Sequence, residues 1–186
     1  VLILICCVLP AGMSRAAWIA SLVSCGYVVL RLYREKITSF VLRHRYALLG
    51  VLIVGTLFAT GMYFIKRDSV DGRLLIWKIT THAIADSPWG VEGGKTFSAF
   101  YGDVQERYFT DCKYSDSEAW VAGTPDFAFN EYLQIAVEYG VWGSVLFVTV
   151  LLMLLKIAGN CKHLAGMGGC LVSLMVFACF SYPIHI

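Results

Sequence analysis

Charged residues are scarce in this chain: 15% of its 186 residues are charged, whereas 58% are hydrophobic. A soluble domain of this size would carry about a quarter charged residues. Three long runs contain no charge at all: Ala47–Ile65, Tyr139–Leu155 and Leu164–Tyr182. Each approaches the roughly 20 apolar residues that a membrane-crossing helix needs. The composition therefore argues against a soluble domain and predicts several membrane spans.

Recognisable cofactor and metal signatures are also missing. The seven cysteines form no disulfide framework, because most of them lie in apolar runs, where cysteine behaves as a small hydrophobic residue. No His, Cys or acidic cluster has zinc spacing, and no nucleotide fingerprint or serine-nucleophile motif is present. The net charge is only +2. We therefore expect no metal, no cofactor and no nucleic-acid partner.

What is present is a set of about five apolar segments. They predict an all-α fold, a polytopic transmembrane helical bundle, with spans at 1–9 (partial), 14–33, 47–65, 139–158 and 164–182. Ser14 is a plausible N-cap of the second span. The chain begins inside one apolar run and ends directly after another. We therefore expect residues 1–186 to be a partial membrane domain from a longer protein.

The loops between these spans differ in charge, and this difference predicts the topology. The short basic segments Arg31–Arg45 and Lys156–His163 fit the cytoplasmic side. The long polar segment 66–131 holds seven Lys/Arg against eleven Asp/Glu. We expect this segment to be an extracytoplasmic loop that contains short helices.

Two arginines are expected at the outer face. Arg15 begins a helix beside a long apolar run, so it either snorkels as an anchor or holds an anion at the helix N-terminus. A helix capped by Ser69 or Asp71 would place Arg73 in its first turn, where the dipole disfavours a cation. An anionic ligand would offset that cost. A surface ion pair with Asp68 or Asp71 is the alternative.

The stretch FNEYLQIAVEYGVWG, residues 129–143, carries carboxylates and amides into an apolar run. On a helix, Asn130, Gln134 and Glu138 would share one face, with Glu131 beside them and on a face shared with Glu138. An interfacial helix with a solvated polar stripe is one interpretation. A functional or paired site is the other, because a carboxylate at membrane depth is costly. Two glycines that follow would permit a helix break or close packing: Gly140 and Gly143.

These motifs form an ordered set: SRAAWIA, a basic loop, an apolar span, DGRLLIWKITTHAIADSPWGVEGGKTF and NEYLQIAVEYGVWGSVLF. Their order and spacing resemble the O-antigen ligase and O-antigen polymerase family over nearly the whole chain. The resemblance implies a metal-independent glycosyltransferase of the bacterial inner membrane. Such an enzyme takes a glycan from an undecaprenyl-diphosphate carrier at the outer face. A ligase transfers it to a lipid A core, and a polymerase to another carrier-linked repeat.

The resemblance also implies roles for the two arginines. The family arginines of the SR and GR motifs, which are thought to hold the diphosphate, correspond to Arg15 and Arg73. Cleavage of a sugar–diphosphate bond develops charge on the leaving group, and fixed arginines can stabilise that charge. The acceptor hydroxyl also needs a base on the opposite side.

The base is where this sequence departs from the family. The family's His-Asn pair, whose His is the expected base, is here Phe129-Asn130. A phenyl ring accepts no proton, so Glu131, the nearest carboxylate, becomes the predicted base, with Asn130 beside it. Three further candidates on the outer side are less favoured: Glu138, His82 and His185. Of these, Glu138 is expected to be structural.

Two other functions fit parts of this pattern. A polysaccharide or lipid transporter would more often place charges near the membrane midplane on broken helices. Here the charges gather at one face beside a large loop, which favours an enzyme. A non-catalytic relative is the second alternative, because Phe129 replaces the expected base. The same residues fit a ligase or a polymerase.

Overall fold

The computed structural model describes residues 14–43, 46, 50, 67–91, 97–111 and 114–185. Within these residues the regular structure is entirely helical, which confirms the all-α prediction. The elements in chain order are α1 (Arg15–Arg43), α2 (Arg67–Asp86), α3 (Phe97–Asp111), α4 (Asp116–Val121), α5 (Glu131–Asn160), a 3₁₀ turn (Lys162–Leu164) and α6 (Ala165–Ala178). The predicted spans 1–9 and, apart from Gly50, 47–65 lie outside the described residues.

Two of these helices are long and apolar enough to cross a membrane: Ala16–Arg34 within α1, and Glu131–Asn160, which is α5. They correspond to the predicted spans 14–33 and 139–158. Large apolar side chains on both are exposed, as at Leu22 and Met153, which are 74% and 62% accessible. The segment Lys162–Ala178 is also apolar, but it is shorter than the predicted span 164–182 and than the roughly 20 residues that a span needs.

The end of α1 differs from the prediction. The basic segment Arg31–Arg45 was expected to be a loop, but α1 continues as a helix to Arg43. Charged side chains do not end a helix by themselves, and this segment contains no Gly or Pro. Only Tyr33 departs from helical geometry, with φ −124° and ψ 26°, and it marks a kink.

The start of α2 also differs from the prediction. The helix already includes Arg67, which precedes both of the predicted caps, Ser69 and Asp71. The apolar periodicity indicates the buried face of a helix and not its first residue, so the start was placed too late. Arg73 therefore lies in the second turn, where the helix dipole exerts little effect.

Helices α1 and α6 pack antiparallel through small residues. A Cβ added to Gly168 would lie 2.8 Å from the Tyr27 ring, and one on Gly169 would lie 2.5 Å from Cγ2 of Val28. Near the other end of this contact, the Arg31 guanidinium donates to the carbonyl of Gly159. Small residues allow helix backbones to approach closely, which is a common way for helices to associate in lipid.

This antiparallel register brings the start of α1 and the end of α6 to the same end of the molecule. Arg15 precedes Tyr27 by about 18 Å of helix and Ala178 follows Gly168 by about 15 Å, at roughly 1.5 Å per residue. Ser14 caps α1 as predicted, since its Oγ accepts a hydrogen bond from the Ala17 amide at 3.3 Å.

The described residues of the predicted loop 66–131 form helices that pack against one another. Helix α2 contacts α3, α4 and the first part of α5. The buried apolar residues between these helices are Leu75, Ile79, Phe97, Tyr101, Tyr108, Ala128 and Val137. Burial of a side chain of this kind stabilises a fold by about 1.5–3 kcal/mol. Packing against these helices therefore holds the first part of α5 in a fixed position.

Helix α5 breaks at Gly140, where φ is 77° and ψ is 171°. The turn that follows α2 fills the break: the Val141 amide donates to the Pro88 carbonyl, and the Val91 amide donates to the Val137 carbonyl, both at 2.9 Å. The sequence left open a break or close packing at Gly140 and Gly143, and the structure places a break at Gly140. It separates a buried, polar first part of α5 from an exposed, apolar second part.

We expect Gly140→Ala to destabilise the protein. A Cβ there would lie 2.7 Å from the backbone carbonyl carbon of Trp89, and the positive φ costs a residue other than glycine about 1–3 kcal/mol. Gly159→Ala, in the same helix, is the matched control, because no atom lies within 4 Å of its added Cβ. Thermal unfolding in detergent measures both variants. Equal melting temperatures for the two would contradict this account of the break.

Candidate functional site

The site is built on the first turn of α5, and Asn130 determines where that turn begins. Asn130 is the N-cap: its Oδ1 accepts hydrogen bonds from the amides of Tyr132 at 3.0 Å and Leu133 at 3.2 Å. Its extended backbone, with φ −156°, is typical of a cap. The side-chain oxygen of this predicted site residue therefore positions Glu131, the first residue of the helix.

Glu131 is fully buried, with none of its side chain accessible to solvent. Its Oε1 lies 2.5 Å from Nδ1 of His185, and its Oε2 accepts a hydrogen bond from the Ile184 amide at 3.3 Å. A buried carboxylate is strongly destabilising unless it is paired and hydrogen-bonded. The segment that follows α6 supplies both partners here.

Glu138 lies two helical turns further along α5 and contacts the same histidine. Its Oε2 is 3.0 Å from Nε2 of His185. Its Oε1 accepts a hydrogen bond from the side-chain amide nitrogen of Gln134, Nε2, at 2.5 Å. Gln134 in turn accepts from the Ala128 amide at 2.8 Å. The prediction that the two glutamates share a face is confirmed. We call Glu131, His185 and Glu138 the carboxylate–imidazole cluster.

The members of this cluster differ in their access to solvent. Glu131 is inaccessible, whereas the side chain of His185 is 22% accessible and that of Glu138 is 28% accessible. A molecule outside the protein can therefore reach His185 and Glu138 but not Glu131. The cluster extends from the interior to the surface, with the imidazole in the middle.

The two carboxylates govern the charge of the imidazole. Partial burial by itself lowers the pKa of His185, because desolvation disfavours the cation. The hydrogen bonds and charges of Glu138 and Glu131 outweigh that effect and raise the pKa above its ordinary value of 6.5. With both ring nitrogens facing carboxylates, the protonated form of the ring is stabilised relative to that of a free imidazole.

Arg73 lies beside the same segment of chain. Its guanidinium carbon is 5.2 Å from the centroid of the Phe129 ring, and its Nη1 donates to the Phe180 carbonyl at 3.3 Å. Phe129 also packs edge-on against Tyr182, with ring centroids 5.5 Å apart. Phe129 precedes Glu131 by two residues, and Tyr182 precedes His185 by three. The arginine and the carboxylate–imidazole cluster thus share a neighbourhood.

The other predicted site residues are placed differently. The side chain of Arg15 lies outside the described residues, although α1 begins at the same end of the molecule as the cluster. His82 follows Arg73 by nine residues, which is two and a half helical turns, so the two lie on opposite faces of α2. The His82 ring lies 6.0 Å from that of Tyr108 in α3. The structure therefore separates His82 from Arg73 and the cluster.

The central role of His185 was not predicted. In the sequence it is one of two histidines expected on the outer side, after an apolar run and Pro183. It lies 54 positions from Glu131 in the chain, so no local spacing connects the two. The only signal available was that Glu131 and Glu138 share a helical face and would need a common partner if buried.

Comparison with known proteins identifies the class. A family model described as O-antigen ligase matches residues 1–148, so the chain belongs to the O-antigen ligase family, which is membrane-bound. A protein of Rickettsia bellii (strain RML369-C), provisionally named a polysaccharide ligase, is 28% identical over 144 residues. The match covers 74% of this chain and 34% of the relative, so the chain spans about a third of that protein's length. No solved structure matches the chain.

The pairing of His185 predicts a dependence of stability on pH. Because its folded-state pKa is raised, its contribution is fully present below pH 6.5 and is lost as the pH rises through the higher folded-state value. We expect the melting temperature to fall across this range in the natural protein and to fall less in His185→Gln. His163→Gln, in the 3₁₀ turn before α6, is the control. Equal slopes for the natural protein and His185→Gln would contradict the pairing.

Proposed function

We propose that the protein containing this chain is a glycosyltransferase. It moves a glycan from an undecaprenyl-diphosphate carrier to an acceptor hydroxyl at the outer face of the bacterial inner membrane. The observation that carries this proposal is the contact between Arg73 and Phe129. The family resemblance assigns the position of Arg73 to diphosphate binding and the position of Phe129 to the base. These two side chains are in contact. Membership of the O-antigen ligase family supports the same class of reaction.

Arg73 is suited to the donor side of this reaction. A planar guanidinium can donate two parallel hydrogen bonds to a phosphate group, which fixes orientation as well as charge. We assign Arg15 to the same diphosphate, because α1 begins at the end of the molecule where Arg73 contacts the carbonyl of Phe180. Arginine side chains, and not a metal ion, then stabilise the charge that develops on the leaving diphosphate.

The carboxylate–imidazole cluster is suited to the acceptor side. Transfer to a hydroxyl requires a group that accepts its proton, and Phe129 cannot do so. Glu131 follows Phe129 by two residues, and the cluster to which it belongs contains three proton-accepting groups. We assign proton acceptance to this cluster, with Glu131 as its buried member and Asn130 as the cap that positions Glu131.

The proposed orientation in the membrane follows from the different residues at the two ends of the helices. The end that carries Arg73 and the cluster is continuous with the helical segments 67–86 and 97–111. The other end carries Arg31, where it contacts Gly159, together with Lys156 near the end of α5 and Lys162 in the 3₁₀ turn before α6. Basic residues favour the cytoplasmic side, so we place the cluster on the extracytoplasmic side of a multi-pass protein.

The acceptor is a glycan or a lipid A core. Ligation is the better supported of the two family reactions, because the Rickettsia bellii relative carries a ligase name. Transport of a polysaccharide or lipid is less well supported, since Arg73 and the carboxylate–imidazole cluster lie at one end of the helices and not near their middle. A non-catalytic protein would show no transfer in the experiments below.

We expect Arg73→Lys to lower glycan transfer by about 10²-fold, because a lysine cannot reproduce the bidentate contact with a phosphate group. The assay compares the natural membrane protein and its variants at matched membrane expression, with a carrier-linked glycan as the donor. Arg107→Lys, on the exposed surface of α3, is the matched control. Transfer at the natural rate by Arg73→Ala would leave Arg73 as a structural residue.

We expect Glu131→Gln to lower transfer by a similar factor while the carrier-linked donor still binds. Glutamine has the shape of glutamate but carries no charge to pair with His185. Glu106→Gln, on exposed α3, is the control for the same chemical change. Donor binding is measured separately from transfer. Undiminished transfer by Glu131→Gln would remove Glu131 from the proton-accepting group.

A further inference from the structure

We propose that His185 is the base that takes the proton from the acceptor hydroxyl, with Glu131 as its positioning residue and Glu138 as the route by which the proton leaves. This inference rests on the glycosyltransferase function proposed above. It assigns to the segment after α6 the chemistry that Phe129 cannot perform.

The first reason is access. Glu131 has no accessible surface, so an acceptor sugar cannot touch it. His185 is 22% accessible and bonds to Glu131 through Nδ1. A buried carboxylate bound to one ring nitrogen fixes the tautomer in which the other nitrogen accepts a proton. Glu131 can thus assist a base without contacting the substrate.

The second reason is the direction in which the ring faces. Nδ1 faces the buried Glu131, and Nε2 faces Glu138, whose side chain is 28% accessible. The acceptor hydroxyl would therefore approach Nε2 from the exposed side and displace the Glu138 oxygen. Nε2 lies 3.0 Å from Oε2 of Glu138, which is the length of a hydrogen bond. The oxygen of the acceptor hydroxyl can therefore take the position of this carboxylate oxygen.

The proposed transfer breaks two bonds and forms two. The acceptor O–H bond breaks and its proton forms an N–H bond at Nε2 of His185. The acceptor oxygen bonds to the anomeric carbon while the bond from that carbon to the diphosphate oxygen breaks. The electron pair of that bond leaves with the diphosphate, near Arg73. His185 then passes the proton to Oε2 of Glu138, from which it reaches water.

Several charged or titratable groups surround the imidazole and determine when it is neutral. Glu131 and Glu138 on α5 favour its protonated form, and they contact it directly. Arg73 on α2 is a cation that contacts Phe129 and the Phe180 carbonyl in the segments that carry the cluster. Tyr182 lies in the same segment as His185. Because the carboxylates dominate, the base is neutral only above its raised pKa.

Transfer by the natural protein should therefore increase with pH through a value above 6.5. In Glu138→Gln one of the groups that favour the cation is absent, so this rise should occur at lower pH. His185→Ala should lose about 10²- to 10⁴-fold in transfer, the usual contribution of a general base, and its residual activity should lack the rise. Added imidazole should restore part of the loss, and more basic imidazoles should restore more.

His163→Ala is the matched control for His185→Ala, and donor binding by every variant is measured alongside transfer. Natural-like transfer by His185→Ala would overturn the assignment. So would a rise with pH that persists in His185→Ala, or a failure of all imidazoles to restore activity while the donor still binds. If the natural protein itself transfers no glycan, the proposed function fails and the assignment fails with it. Failure confined to the His185 variants leaves the proposed function intact.

Discussion

The burial of Glu131 is the constraint on which the site depends. A carboxylate with no contact to water is tolerated only when other groups replace the lost hydration, and here the replacements come from the segment after α6. That requirement draws two distant parts of the chain together. Once His185 is held by Glu131, it also reaches Glu138, and the neighbouring aromatic residues of both segments pack beside Arg73.

The break at Gly140 divides α5 into a part packed in the protein core and a part whose apolar side chains are exposed. Before it, α5 carries the polar cluster and packs into the core formed with α2. After it, the helix exposes apolar side chains suited to lipid, such as Trp142 and Leu146. The Pro88–Val91 turn supplies hydrogen-bond partners at the break, so the change of direction leaves these backbone groups satisfied. The arrangement holds charged groups at the boundary of an apolar helix without placing them inside it.

Local features of this fold could be read from the sequence, and distant contacts could not. The cap at Ser14, the break at Gly140 and the shared face of Glu131 and Glu138 all follow from spacings of a few residues. Helix ends were less predictable, because an apolar pattern marks only the face that is buried. The partner of the two glutamates was inaccessible to such reasoning, since His185 is joined to them only by the packing of α6 against α5.

The distance along the chain between Glu131 and His185 also affects how the protein is made. Ribosomes release a chain from its N-terminus onward, so α5 leaves the ribosome while its buried glutamate has no partner. Until α6 and the segment after it have followed, that carboxylate must remain hydrated or protonated. The segment after α6 therefore completes the carboxylate–imidazole cluster, and a nascent chain that lacks this segment carries no assembled cluster.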